Sequence, residues 1–147
     1  MALSIPELVF DDIVAALGAV DMVAGYPISF SSVERRKEPV NLKADWKCVV
    51  GIANPSKEDV NVGWPLEQWL LRFDVDVFVP TNESSATPAD VALLQAWASV
   101  VRAVMADPQR QGLALETITE TPTLTTDGVV VPVTVRTRWL ATDMARQ

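Results

Sequence analysis

The stretch Trp69-Leu-Leu-Arg-Phe-Asp-Val-Asp-Val-Phe-Val79 decides the fold class. On an extended chain Trp69, Leu71, Phe73, Val75, Val77 and Val79 share one side, while Gln68, Arg72, Asp74 and Asp76 share the other. This period of two predicts a strand with one face in a core and one in water, ended by Pro80. Upstream, Trp46, Cys48, Val50 and Ile52 alternate with Lys47, Val49 and Gly51, predicting a strand over 46–53 that Asn54-Pro55 closes. Downstream, Asp127-Gly128 between Leu124-Thr-Thr126 and Val129-Val-Val131 signals a two-residue hairpin. A type I′ turn there pairs Thr126 with Val129, Thr123 with Pro132 and Leu115 with Leu140. Pro122 and Pro132 then fall close together, which predicts a bulge and, beyond it, a projecting tip over about 121–134.

Two helical patterns complete the order. Ser4 and Glu7 form a capping box ahead of Phe10, Ile13, Val14 and Leu17, predicting a helix over 5–18. Thr87-Pro88-Ala89-Asp90 reads as N-cap, first-turn proline and acidic third position of a helix that runs to about Met105, before Asp107-Pro108. Between the first helix and the first strand, residues 21–45 show no periodicity and carry Gly25, Pro27, Pro39 and the cluster Glu34-Arg-Arg-Lys-Glu38. The order helix, strand, strand, helix, strand, strand predicts one α+β domain over 1–147, with a mostly antiparallel four-stranded sheet, two helices on one face and a long hairpin near the C-terminus.

With 49% hydrophobic and 21% charged residues, the 147-residue chain has the composition of a folded protein. It has no histidine and a single cysteine, Cys48, so triads, thiol–imidazole pairs and most zinc sites are excluded and no enzyme activity or cofactor is expected. Asp74 and Asp76, with Asn82 and Glu83 beyond, read better as solvated carboxylates than as cation ligands. Asp45-Trp46-Lys47 supplies only half of a metal-dependent nuclease motif. A net charge of −7 argues against nucleic-acid reading and anionic membranes. The first basic residue is Arg35 and the longest apolar run is Ile13 to Val20, so neither a signal peptide nor a membrane span is expected. The lone cysteine suits a reducing cytoplasm.

The second helix is apolar around much of its girth, with Leu94, Trp97, Ala98, Val101 and Met105 in one stripe and Leu93, Val100 and Val104 in another. Such a helix packs on the sheet and on something else. Leu93, Trp97, Val100 and Val104 are therefore candidate subunit contacts. So are Arg136 and Arg138, which share a strand face and alternatively pair with Asp74, Asp76 or Glu116 across the sheet. Of five tryptophans, Trp46, Trp69, Trp97 and Trp139 have core periodicity, leaving Trp64, between Gly63 and Pro65, as a contact anchor.

Three stretches carry a family resemblance: Val91 through Asp107-Pro108, Leu113 to Glu120, and Val129-Val-Val-Pro-Val-Thr-Val-Arg-Thr-Arg-Trp139. A long helix, a strand, a hairpin and a last strand ending in basic and aromatic residues resemble the tail terminator, or tail completion, proteins of long-tailed phages. The resemblance implies a virion protein assembled in the host cytoplasm. As a homohexameric ring it would cap the tail tube and meet the head completion or connector protein. DNA would pass its bore without specific binding, with Asp74 and Asp76 as lumen carboxylates, while Trp64, Pro65, Asp127 and Gly128 would meet tube or neck. A head–tail connector of the same virion and, in a different class, a small-molecule-binding α+β domain are the alternatives.

Overall fold

β3 (Leu66–Phe78) lies in the interior of the sheet, paired antiparallel with β2 (Lys47–Lys57) on one side and with β6 (Gly128–Leu140) on the other. The computed structural model describes residues 4–30, 32–35, 47–58, 66–79, 88–125 and 128–140. β1 (Ser32–Arg35) extends the sheet beyond β2, and β4 (Glu116–Thr119) and β5 (Thr123–Leu124) both pair with the far side of β6. The class is α+β, but the sheet is mixed and six-stranded, in the order β1-β2-β3-β6-β4 with β5 alongside β6. β1 runs parallel to β2, with Val33 opposite Cys48. It falls in the stretch expected to be irregular, because four residues of Ser-Val-Glu-Arg are too few to show a period.

Antiparallel register puts Val50, Val75 and Val131 side by side on one face, and likewise Phe73 with Val133 and Leu71 with Val135. Against these valines pack α1 (Ile5–Gly18) and α2 (Ala89–Met105), forming one core. The capping box at Ser4 and Glu7 starts α1 as expected, and Ile5, Val9, Phe10, Ile13 and Leu17 are its buried stripe. Phe10 stacks on Phe73 with ring centroids 5.5 Å apart, fixing α1 to the middle of the sheet. Pro88, rather than Thr87, is the N-cap of α2, and no side chain caps that end. Thr87 itself lies outside the described residues. No described helix is long and apolar enough to cross a membrane.

β2 does not end at Asn54-Pro55. It continues to Lys57 because its register against β3 shifts between Ala53 and Ser56, a bulge that accommodates the proline.

The C-terminal hairpin differs more. Leu124 pairs with Val129 and Thr123 with Val130, two residues from the expected register, while Thr117 pairs with Val135 and Thr119 with Val133 at the base. The break expected near Pro122 is the gap between β4 and β5, and β6 continues through Pro132 without interruption. Thr125 N–H donates to the Gly128 carbonyl at 2.9 Å, and Gly128 belongs to the strand, while residues 126–127 lie outside the described residues. The first residue of β6, Gly128, is paired with Phe78 of β3, so the described part of β6 lies within the sheet along its whole length.

Gly128 serves packing rather than turn geometry, since a Cβ there would lie 2.8 Å from the Val77 carbonyl oxygen. Backbone must move to admit a methyl group. Gly128→Ala is expected to lower the free energy of unfolding by about 1–3 kcal/mol, measured by urea denaturation.

Candidate interaction surface

α2 buries its small side chains and exposes its large ones. Ala92, Ala96, Ser99, Val100, Ala103 and Val104 face the interior. Alanines allow the helix axis to approach its neighbours closely, which is why this face is chosen. The opposite side carries Val91, Leu94, Trp97 and Met105, which are 40%, 52%, 37% and 38% exposed. Val91, Leu94, Ala98, Val101 and Met105 recur at alternating steps of three and four, so they line up as one apolar ridge along the helix.

Two arginines hold the ridge in place. Arg102 donates to the Gly25 carbonyl at 2.9 Å, and its guanidinium lies 4.3 Å from the centre of the Tyr26 ring. That loop is itself ordered by Asp21, which caps the turn Met22–Ala24, and by Ser29 Oγ, which accepts from Met22 N–H. Arg110 is fully buried behind the C-terminus of α2. Its guanidinium donates to the Val104 and Asp107 carbonyls, and Nη1 lies 3.3 Å from Asp12 Oδ2 on α1. A cation at the helix C-terminus satisfies orphan carbonyls and opposes the macrodipole. Arg110 and Gln111 adopt left-handed backbone with φ of 49° and 57°. The Asp107 carboxylate, accepting from Gln109 N–H and Gln111 N–H, secures this turn. Burial lowers the Arg110 pKa and raises that of Asp12, with the mutual attraction opposing both shifts.

The residues expected at a subunit seam separate in the structure. Val100 and Val104 are fully buried in the chain's own core and Leu93 is half-buried, so of the four only Trp97 is exposed. Trp97 also departs from the core position its periodicity predicts, because the alanine face takes that place. Arg136 is engaged within the chain: Nε lies 2.7 Å from Glu58 Oε1, and the guanidinium also pairs with Glu116, its cross-strand partner. Arg138 donates to Gln68 Oε1 at 2.8 Å, and Gln68 Nε2 donates to Glu58 Oε1 at 2.9 Å. These side chains form one polar network on the sheet face away from the helices.

Asp74 is half-buried on the same face, and Asp76 is buried, so it is not an exposed lumen carboxylate in this chain. Trp64, Pro65 and Asp127 lie outside the described residues, and Gly128 is inside the sheet. Lys47 is buried and salt-bridged to Glu34 at 3.2 Å, with Asp45 outside the described residues. No group of three or more potential metal ligands occurs among the described residues. Cys48 is buried, and burial pushes its thiol pKa far up.

One feature has no sequence signal. Beneath the N-terminal turns of α1 an apolar cleft of about 310 Å³ is lined by Pro6, Phe10, Pro55, Trp69, Leu71 and Trp139. Past Ile52 it meets a second depression, of about 340 Å³, bounded by Phe10, Arg35, Val50 and Gly51. Ile52 stands between them, 72% exposed. Trp139 is only 4% exposed and its indole N–H finds no acceptor among the described residues. These residues come from α1, β1, β2, β3 and β6, and only tertiary folding brings them together.

The polar network predicts a pH response. Arg136, then Gln68, hydrogen-bond the Glu58 carboxylate and hold its pKa below the usual range. A carboxylate whose pKa is lowered on folding stabilises the protein above its unfolded pKa, about 4.3, and loses that contribution as pH falls through the lower folded value. Glu58→Gln is therefore expected to flatten the fall of the thermal midpoint between about pH 5 and pH 3. An acid limb as steep as that of the unaltered protein overturns the assignment.

No protein-family model matches the chain, and no curated protein matches it in sequence.

Proposed function

We propose that the chain is a structural virion protein, a tail terminator whose ring caps the tail tube of a long-tailed phage and joins it to the head–neck connector. The observation that carries this reading is the apolar ridge of α2, left exposed although the helix has a complete buried face of its own. A monomer gains nothing by exposing Val91, Leu94 and Met105 in line, with Trp97 beside them, whereas a subunit of an assembly needs such a surface. The three stretches that resemble the family also form one unit here, since α2 packs on both β4 and β6. Net charge of −7 per copy, multiplied around a ring, suits a bore that lets DNA pass without adhering. Tube protein and head completion protein are the partners of this reading, the host cytoplasm its place of assembly and the head-proximal end of the tail its final location.

The contacts differ from those expected of a projecting hairpin, because β6 is absorbed into the sheet. Self-association in this reading rests on α2. A head–tail connector of the same virion would share the ring and differ in its partners. The second class of reading, a small-molecule-binding domain, is favoured by the apolar cleft under α1.

Native mass spectrometry and sedimentation at increasing concentration test the proposal. A closed oligomer, six copies in the family-derived form, is the expected result, together with arrest of tube elongation when the protein is added to polymerising tube subunits. Leu94→Glu is expected to give a folded monomer with an unchanged circular dichroism spectrum. A strict monomer that binds an apolar metabolite would falsify the structural reading.

A further inference from the structure

We infer that the groove beneath α1 receives the α2 ridge of a second copy, so that every subunit offers one ridge and one groove and the contact runs head to tail. This rests on the self-associating reading above and names its seam. Length is the first argument. From the level of Trp69 to that of Val75, the cross-strand partner of Val50, the groove follows six steps of β3, about 20 Å at the usual rise. Val91 to Met105 is fourteen steps of helix, about 21 Å.

Shape is the second. Ile52 stands up between the two halves of the groove, and the ridge is lowest at its centre, where Ala98 lies between Leu94 and Val101. The isoleucine of one copy fits over the alanine of the next, with the larger ridge residues entering the depressions on either side. Two ridges facing each other would instead oppose Ala98 to Ala98 and leave a void.

The chemistry agrees. Groove and ridge are both apolar, the one lined by Phe10, Pro55, Trp69 and Leu71 and the other formed by Val91, Leu94 and Met105. Arg35 bounds one end of the groove and Lys57, the cross-strand neighbour of the lining Trp69, lies beside the other, each bridged to an acid of its own subunit, Asp11 and Glu67, with side chains 56% and 55% exposed. The ridge begins at the exposed Asp90, so either direction of docking brings its carboxylate to a cation. Ridge and groove are different surfaces, so the interface is heterologous and generates a ring if its rotation closes.

Cysteine cross-linking tests this directly, because Cys48 is the sole cysteine and is buried. Leu94→Cys and Ile52→Cys, both at exposed positions, are made in separately tagged chains, co-expressed, and treated with a short thiol cross-linker. The expected result is a covalent heterodimer at least ten times more abundant than the homodimer of either variant alone. A single chain carrying both substitutions is expected to give a ladder of covalent multimers. If Leu94→Cys links to itself, or if the protein oligomerises and the mixed pair stays unlinked, the seam is overturned while self-association stands. A protein monomeric at every concentration overturns the self-associating reading and the seam together.

Discussion

The ladder between β3 and β6 constrains everything else in this molecule. It pairs every residue from Leu66 with Leu140 to Phe78 with Gly128, leaving neither strand a free end. So long a pairing sets both faces of the sheet at once, because a slip of one residue would turn Val129, Val131, Val133 and Val135 from the core to the opposite face. It also determines the fate of the hairpin. Once β6 is committed to β3 along its full length, β4 and β5 can only occupy its other edge. Gly128 then has to fit against the Val77 carbonyl.

The elements with long, regular patterns were legible before any coordinates. The alternation from Trp69 to Val79 gave β3 its orientation, and Ser4 with Glu7 gave α1 its start, because each signal is local and repeats over several residues. β1 was not legible: four residues carry no period, and what holds them is a parallel partner fifteen positions along the chain. The hairpin register was misread because Asp127-Gly128 carries two messages. The glycine that signals a tight turn is required here by the close approach of β3.

The candidate surface was legible in outline and inverted in detail. A hydrophobic stripe is normally ranked by size, which sends Leu94, Trp97 and Met105 inward. Here the alanines at 92, 96 and 103 go inward instead, since a helix held close to the sheet and to α1 has room only for small side chains. Arg110 gave no sign of its role, because its acceptors are backbone carbonyls and an aspartate nearly a hundred residues earlier. The apolar cleft was invisible for the same reason, being assembled from four separated elements.

The division of labour between polar and apolar side chains bears on how copies would meet. Arg136 and Arg138, the natural candidates for a charged seam, are bound within the subunit by Glu58, Glu116 and Gln68. Taking them for an intersubunit contact would break a network that ties the end of β2 to β3, β4 and β6, and would leave Glu58 without its cationic partner. The ridge of α2 carries no such obligation. An interface built on it draws on apolar burial, which salt does not screen, whereas an arginine seam between exposed partners weakens steeply with ionic strength. For a chain of net charge −7 that distinction matters, since copies brought together repel one another, and only a contact indifferent to screening holds against that repulsion at both low and high salt.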